Sequence, residues 1–181
     1  MEQEKQTKRY TMLYDCAEIF TASLLVISLI FTLLFRMVDV DGSSMQTTLF
    51  DRERLILSCL PYTPERGDIV VISRGEESSL LIKRVIGLPG DTVAIEPESG
   101  TVLLNGEKLA EPYVHVPTAV EQMEGEVTVP AGMVFVMGDN RAAGCSLDSR
   151  TFGCVAQERL LGKVVYRLLP LDRIGGLYDQ S

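Results

Sequence analysis

The chain has 181 residues, of which 46% are hydrophobic, and it carries a formal net charge of -8 at pH 7. This length supports one domain-sized core beside a membrane segment and argues against two large domains. The acidic balance disfavours a nucleic-acid partner, because proteins that bind phosphate backbones concentrate Lys and Arg.

The cysteines indicate no metal centre. Cys16, Cys59, Cys145 and Cys154 include no CxxC pair and form no cluster with histidine. We therefore expect no metal and no other cofactor. Cys145 and Cys154 could form a disulfide, but unpaired thiols fit the sequence equally well, and both alternatives stay open.

The first predicted element is a membrane-spanning helix. Residues 19–35 carry no charge, and the three residues before them extend the run to about the 20 that cross a bilayer. A cleaved signal peptide is the main alternative, but the run is long for one and no small-x-small cleavage site precedes Arg36. A buried core helix is a further alternative. We predict an uncleaved signal anchor over residues 16–36.

The charges that flank this run predict its orientation. They are Lys5, Lys8 and Arg9 before the run, and Arg36, Asp39 and Asp41 after it. By the positive-inside rule, this asymmetry places the N-terminus in the cytoplasm. We therefore predict a single-pass protein with a cytoplasmic segment, residues 1–15, and an extracytoplasmic domain, residues 37–181.

After the anchor, short β-branched or apolar runs alternate with turn signals, which predicts a mainly β domain. The predicted strands are 54–58, 68–73, 80–86, 92–96, 102–105, 126–129, 133–137 and 161–168. Asn105-Gly106 between two such runs predicts a two-residue hairpin. We expect the polar segment 111–126 to be a mobile surface excursion and one helical turn to form near residues 156–160.

Ser44 and Lys83 are the candidate catalytic residues. A serine is a weak nucleophile until a base accepts its proton, and His115, the single histidine, lies in a segment without a base signature. A lysine can replace histidine if burial lowers its pKa, and Lys83 lies in the apolar run 80–86. The alternatives are an ordinary turn around Gly42-Ser43-Ser44 and a lysine whose head reaches water.

Four ordered blocks resemble the bacterial type I signal peptidases, which are membrane-anchored Ser-Lys endopeptidases. The blocks are Gly42-Ser-Ser-Met-Gln-Thr-Thr-Leu49, Arg66-Gly-Asp-Ile-Val-Val71, Leu81-Ile-Lys-Arg-Val-Ile-Gly-Leu-Pro-Gly-Asp91, and Gly138-Asp-Asn-Arg141 with Ser146-Leu-Asp-Ser-Arg150 and Phe152-Gly153. The resemblance spans nearly the whole chain. It implies a signal-peptidase-like β-fold catalytic domain in the bacterial cell membrane, which removes signal peptides from exported preproteins.

The resemblance also implies roles for the matching residues. Ser44, directly before Met45, would attack the scissile carbonyl, and Lys83 would act as general base. Ser146 would orient the lysine. The backbone N–H of Ser44, with help from around Gly42, would hold the oxyanion.

Substrate choice follows from the same comparison. The family cleaves after small residues at the first and third positions before the bond, because shallow apolar pockets exclude larger side chains. The matching pocket positions are Val40, Met45, Leu49, Leu81 and Ile82, which are also compatible with ordinary core packing. The substrate would dock by strand addition. A supporting ion-pair network is expected from Arg84, Asp148 and Arg150.

The chain departs from the family pattern in the site. Thr47 stands where proline is usual, so the turn after the nucleophile is less constrained. Gly42 has no hydroxyl that could assist the oxyanion. The link to Ser146 is two residues longer than the commonest spacing. The segment between Lys83 and Gly138 is short, so we expect the large accessory β-domain of some relatives to be absent or reduced to a hairpin.

A non-catalytic assembly factor that binds signal-anchored, pilin-like subunits is the alternative function. The presence of both Ser44 and Lys83 argues against it, because a protein that only binds does not need the dyad. A self-cleaving Ser-Lys regulatory protease is disfavoured by the anchor and by the absence of a DNA-binding segment. The expected partners are preproteins and the lipid bilayer, and the oligomeric state is left open.

Overall fold

The N-terminal part of the chain is one long helix. The computed structural model describes residues 2–74, 80–120, 123 and 125–178, and the chain divides into two compact units, Met1–Arg36 and Met37–Ser181. Helix α1 (Glu2–Leu34) is long and apolar enough over Tyr10–Leu34 to cross a membrane. The predicted apolar helix is confirmed, although it begins earlier than the predicted span.

Hydroxyl side chains do not interrupt α1, because they bond back to its own carbonyls. Thr21, Ser23 and Thr32 each donate to the carbonyl four residues earlier, at 2.7 to 2.8 Å. Such bonds satisfy a hydroxyl where no water is present. The helix therefore stays regular through its polar positions.

The second unit is mainly β, as predicted. Its strands are β1 (Phe35–Asp39, which begins just before the unit), β2 (Arg54–Ser58), β3 (Ile69–Ser73), β4 (Leu80–Gly87), β5 (Thr92–Ile95), β6 (Val102–Leu104), β7 (Glu107–Lys108), β8 (Glu126–Thr128), β9 (Met133–Met137), β10 (Val155–Ala156), β11 (Leu160–Leu169) and β12 (Gly175–Gly176). The unit also contains one short α-helix, α2 (Ser149–Phe152), and two 3-10 turns, Gln157–Arg159 and Leu171–Arg173.

The strands form two sheets. The main sheet has the order β1-β2-β11-β3-β4-β9-β10, with β12 beside β11. Strand β4 lies inside it, where Lys83 is paired with Val70 of β3 and Arg84 with Met137 of β9. The smaller sheet has the order β7-β6-β5-β8. The segment between Lys83 and Gly138 therefore forms more than the single hairpin that we expected.

Each predicted strand exists, with ends within one residue of the prediction. The hairpin is also confirmed, because Asn105 and Gly106 have φ of 54° and 81°, as a type I′ turn requires. The expected helical turn corresponds to Gln157–Arg159. The sequence did not predict β1, whose first two residues it assigned to the anchor, whereas the helix ends at Leu34. It also did not predict the two-residue strands β10 and β12, since so short a strand exists only through its partner.

The segment 111–126 is not the mobile excursion that we expected, at least over its described part. Arg141 is fully buried and forms an ion pair with Glu111, and it also donates to Thr118 Oγ1 at 3.1 Å. The backbone N–H of Ala119 donates to the Arg141 carbonyl at 3.0 Å. These contacts fix residues 111–119 on the domain, while residues 121, 122 and 124 lie outside the described residues.

Candidate active site

Ser44 and Lys83 are in contact. Lys83 Nζ donates to Ser44 Oγ at 2.6 Å and to the Ile82 carbonyl at 3.0 Å. Lys83 comes from β4 and is only 1% exposed, whereas Ser44 is half-buried in the turn after Val40. The distance suits transfer of a proton from the serine hydroxyl to a neutral amine.

Burial favours the neutral form of Lys83, which is the form that can act as a base. Loss of hydration lowers the pKa of Lys83 to about 8, because a buried ammonium is disfavoured. The charges of Asp148 and Asp139 oppose this shift, and that of Arg150 adds to it. A useful fraction of the lysine is therefore neutral in mildly alkaline solution.

The nucleophile turn, residues 43–49, is fixed by its own apolar residues and by a partner from beyond β9. Met45 and Leu49 are buried, and the Leu49 N–H donates to the Met45 carbonyl at 2.8 Å. Asn140 donates from its backbone to the Ser44 carbonyl at 3.0 Å and from its side chain to the Ser43 carbonyl at 3.1 Å. The main chain of Ser44 is thereby held on both sides.

The backbone amides of Ser44 and Gly42, the predicted donors to the oxyanion, differ in their hydrogen bonds. Among the described residues, the backbone N–H of Ser44 donates to no acceptor, so it is free to hold an oxyanion. The N–H of Gly42 instead donates to Asp51 Oδ1 at 2.9 Å. Because a carboxylate is a strong acceptor, the Gly42 amide is already occupied in the structure, and its part in holding an oxyanion stays a prediction.

No hydrogen bond between Ser146 and Lys83 is found among the described residues, and the orienting role of Ser146 stays a prediction. Its hydroxyl donates to Asp148 Oδ2 at 2.7 Å. In the described part of the chain, Lys83 Nζ is hydrogen-bonded to Ser44 and to the Ile82 carbonyl instead. The Ser146 hydroxyl uses its one hydrogen for the carboxylate, and its lone pairs remain able to accept a hydrogen bond.

The expected network is two separate ion pairs. Asp148 and Arg150 are fully buried and joined by bonds of 2.8 and 2.9 Å. Burial would raise the pKa of Asp148, but the hydrogen bonds from Arg150 hold it below its usual value. Arg84 pairs with Asp139 at 2.7 and 2.9 Å and does not join the first pair. Lys83 and Arg84 are consecutive in a strand, so their side chains leave it on opposite faces.

Four of the five pocket positions share one apolar cluster. Val40, Met45, Leu49 and Ile82 pack together, whereas Leu81 packs against a different cluster. Their role in substrate binding stays a prediction. A separate cleft of about 1020 Å³ is lined by Thr47, Thr48 and Arg84 but not by the dyad.

Asp139, Asn140 and Thr48 are site residues for which the sequence predicted no role. Thr48 Oγ1 donates to Asp139, which is also the partner of Arg84. Asp139 and Asn140 lie inside the recognised block 138–141 and directly follow the buried strand β9. Polar residues at the end of a buried strand were a usable signal, but their partners lie 55 and 91 positions away in the chain.

Comparisons with known proteins show what the chain as a whole is similar to. The family model described as signal peptidase, peptidase S26, matches residues 13–169. Signal peptidase I of Bacillus licheniformis is 36% identical over 96% of this chain and 98% of its own length. Signal peptidase I T of Bacillus subtilis is 37% identical over 94% of this chain and 93% of its own. A crystal structure of a signal peptidase I from Enterococcus faecalis is 34% identical, with a TM-score of 0.46, and the match covers 56% of this chain and 97% of that one.

Proposed function

Since the chain belongs to the signal peptidase family, peptidase S26, and is therefore a protease that removes signal peptides, we propose that Ser44 is its nucleophile and Lys83 its general base. The contact of 2.6 Å between Ser44 Oγ and Lys83 Nζ is the observation that carries the proposal. A buried lysine whose pKa is about 8 supplies the base that the serine needs.

Acylation begins when neutral Lys83 takes the proton of the Ser44 hydroxyl. Ser44 Oγ attacks the scissile carbonyl carbon, and the carbonyl oxygen becomes an oxyanion that the Ser44 N–H can hold. As the tetrahedral intermediate collapses, the C–N bond breaks and the Lys83 ammonium gives its proton to the leaving amine. The mature protein departs, and the signal peptide remains esterified to Ser44.

Deacylation reverses these roles with water. Lys83, now neutral again, takes a proton from a water molecule that attacks the ester carbonyl. When the second intermediate collapses, the ammonium returns the proton to Ser44 Oγ, and the signal peptide leaves with a new carboxyl group, which releases the other proton of the water to solvent. Protons balance over the cycle, since Lys83 gives back each proton that it takes.

We propose that cleavage follows small residues at the first and third positions before the bond. The apolar cluster of Val40, Met45, Leu49 and Ile82 lies next to the nucleophile and is closely packed. A wall of this kind leaves room for a methyl group but not for a large side chain. An extended substrate beside β4 would present alternate side chains to it.

We also propose that α1 anchors the enzyme, with its N-terminus in the cytoplasm and residues 37–181 outside. The apolar helix and the positive charges before it support this topology. Ser44 follows the end of α1 by only ten residues. The catalytic serine is thus tethered close to where a signal peptide leaves the bilayer.

Alanine substitution of the dyad tests the mechanism. Ser44→Ala and Lys83→Ala in the full chain should each lower cleavage of a preprotein at least about a thousandfold. Lys108→Ala, which removes an exposed lysine, and Ser43→Ala, which removes the hydroxyl beside the nucleophile, are the controls and should cleave.

Wild-type cleavage by either dyad variant would contradict the mechanism. Binding of the preprotein by the wild-type chain without any cleavage would support the assembly-factor alternative, which no contact in the described residues favours.

A further inference from the structure

A segment that we name the strap, residues 111–119, lies against the nucleophile turn. Its ends are held by Arg141, which pairs with Glu111 and donates to Thr118 Oγ1. Arg141 is fully buried and also donates to the Gly138 carbonyl at 2.7 Å. The strap is therefore fixed to the same four-residue block, 138–141, that holds the main chain of Ser44.

Tyr113, in the middle of the strap, covers the ion pair of Arg84. Its ring lies 3.9 Å from the Arg84 guanidinium carbon, within the range of a cation–π contact. Arg84 and Tyr113 both line the cleft of about 1020 Å³, yet the Arg84 side chain is only 6% exposed. The ring thus keeps water in the cleft away from the pair of Arg84 with Asp139, which strengthens that pair.

A second contact joins Tyr113 directly to the nucleophile turn. Thr47 Oγ1 donates to the Tyr113 carbonyl at 3.2 Å. The Tyr113 hydroxyl donates to Glu111 at 3.0 Å, which fixes the tyrosine within the strap. The contact therefore ties the nucleophile turn to the strap.

The two contacts of Tyr113 converge on adjacent residues. Through its carbonyl it binds Thr47, and through Arg84 and Asp139 it reaches Thr48, whose hydroxyl donates to Asp139. Thr47 and Thr48 follow Ser44 by three and four positions, so fixing them fixes the turn that carries the nucleophile. Tyr113 itself has no hydrogen bond to either residue of the dyad within the described chain.

We propose, on the basis of the dyad proposed above, that Tyr113 is a positioning residue that sets Ser44 against Lys83 by clamping Thr47 and covering the Arg84–Asp139 pair. It acts on the rate of the chemical step and not on substrate binding, because it lies outside the apolar cluster of the pocket positions. Small displacements of a nucleophile are costly, since the reacting atoms must be aligned.

The test compares Tyr113→Leu with Tyr113→Phe in the full-length, detergent-solubilised enzyme. Tyr113→Leu removes the aromatic face and should lower kcat about tenfold, with KM changed less than about threefold. Tyr113→Phe keeps the ring over Arg84 and should stay within about threefold of the wild-type kcat. Tyr166→Leu removes an exposed tyrosine from β11 and is the matched control.

Thr47 provides a second pair of variants that disturbs folding less. Thr47→Val removes the hydroxyl and should lower kcat about fivefold, whereas Thr47→Ser keeps the hydroxyl and should restore most of it. In the variant with both Tyr113→Leu and Thr47→Val, the losses should be less than additive, because both changes release the same turn.

Several outcomes would overturn the inference. The first two are a wild-type kcat in both Tyr113→Leu and Thr47→Val, and a rise in KM in place of a fall in kcat. The third is a fall in kcat that is equal in Tyr113→Phe and Tyr113→Leu. The fourth is a fall in kcat that matches the unfolded fraction of the variant, measured by circular dichroism. Ser44→Ala is assayed in parallel. If it retains activity, the dyad fails, whereas an inactive Ser44→Ala beside an unaffected Tyr113→Leu rejects the positioning role alone.

Discussion

Lys83 illustrates how one residue combines burial with reactivity. Lys83 is only 1% exposed, and burial destabilises its ammonium form because the charge loses its hydration. Burial therefore lowers the pKa of Lys83 to about 8. The Ile82 carbonyl and Ser44 Oγ provide hydrogen-bond partners for Nζ in the site. Asp148 and Asp139 keep the pKa from falling further. The balance leaves an amine that is half neutral near pH 8.

The rate of cleavage should depend on pH through Lys83. The base works only when it is neutral, so kcat/KM should rise with pH as the ammonium deprotonates and level off above about 8. Asp148→Asn removes a charge that raises this pKa, and its profile should therefore shift to lower pH. The measurement is kcat/KM for a signal-peptide substrate at pH values from about 5 to about 10. A flat wild-type profile would contradict the assignment of the base.

At the scale of elements, the end of β9 organises the site. Where the strand ends, Gly138 passes so close to the nucleophile turn that a Cβ there would overlap the Ser44 carbonyl and the Ser146 hydroxyl. Its N–H donates to Asp148 Oδ2 at 3.0 Å. The next residues supply Asp139 and Asn140. One strand end therefore contacts the nucleophile, the buried ion pair and the strap.

Gly138→Ala should displace the nucleophile. Because the new methyl group requires the Ser44 carbonyl or Ser146 to move, kcat should fall by about a hundredfold and the melting temperature should also fall. Gly106→Asn, in the hairpin turn, is the control, since asparagine tolerates a positive φ. Activity assays and thermal unfolding followed by circular dichroism measure both effects. Full activity in Gly138→Ala would contradict this prediction, because it would show that the nucleophile turn accommodates the methyl group without displacing Ser44.

For the whole molecule, the proposed topology follows from the anchor and from the charges beside it. The described part of α1 includes one stretch long enough to cross a bilayer, and the proposed catalytic residues, Ser44 and Lys83, belong to the second unit. A protease of this kind must reach a cleavage site that emerges from the membrane. Orientation therefore decides whether the enzyme can meet exported preproteins at all.

Protease protection of tagged protein should reveal this orientation. In spheroplasts, external protease should remove a C-terminal tag and spare an N-terminal tag, and inverted vesicles should show the opposite pattern. If the basic residues set the orientation, joint replacement of Lys5, Lys8 and Arg9 by glutamine should reduce the fraction inserted in this way. A protected C-terminal tag in spheroplasts would contradict the proposed topology.

The sequence by itself determined the features that depend on local pattern. An uncharged apolar run predicted the helix, alternation and turn residues predicted the strands, and Asn105-Gly106 predicted its hairpin, because each signal is contained within a few neighbouring residues. The resemblance of the four sequence blocks also selected Ser44 over Ser43 and paired it with Lys83. The structure places Ser44 Oγ in contact with Lys83 Nζ.

Only the tertiary structure decided which distant residues meet. Arg84 pairs with Asp139, Gly42 donates to Asp51, Ser146 turns to Asp148, and Tyr113 covers Arg84. Some of these partners lie tens of residues apart in the chain, and others are near neighbours that had several possible partners. Their choice depends on strand register, on which face a side chain leaves and on which acceptor is charged. A linear pattern does not contain that information, so the supporting contacts of the dyad could be read only from the fold.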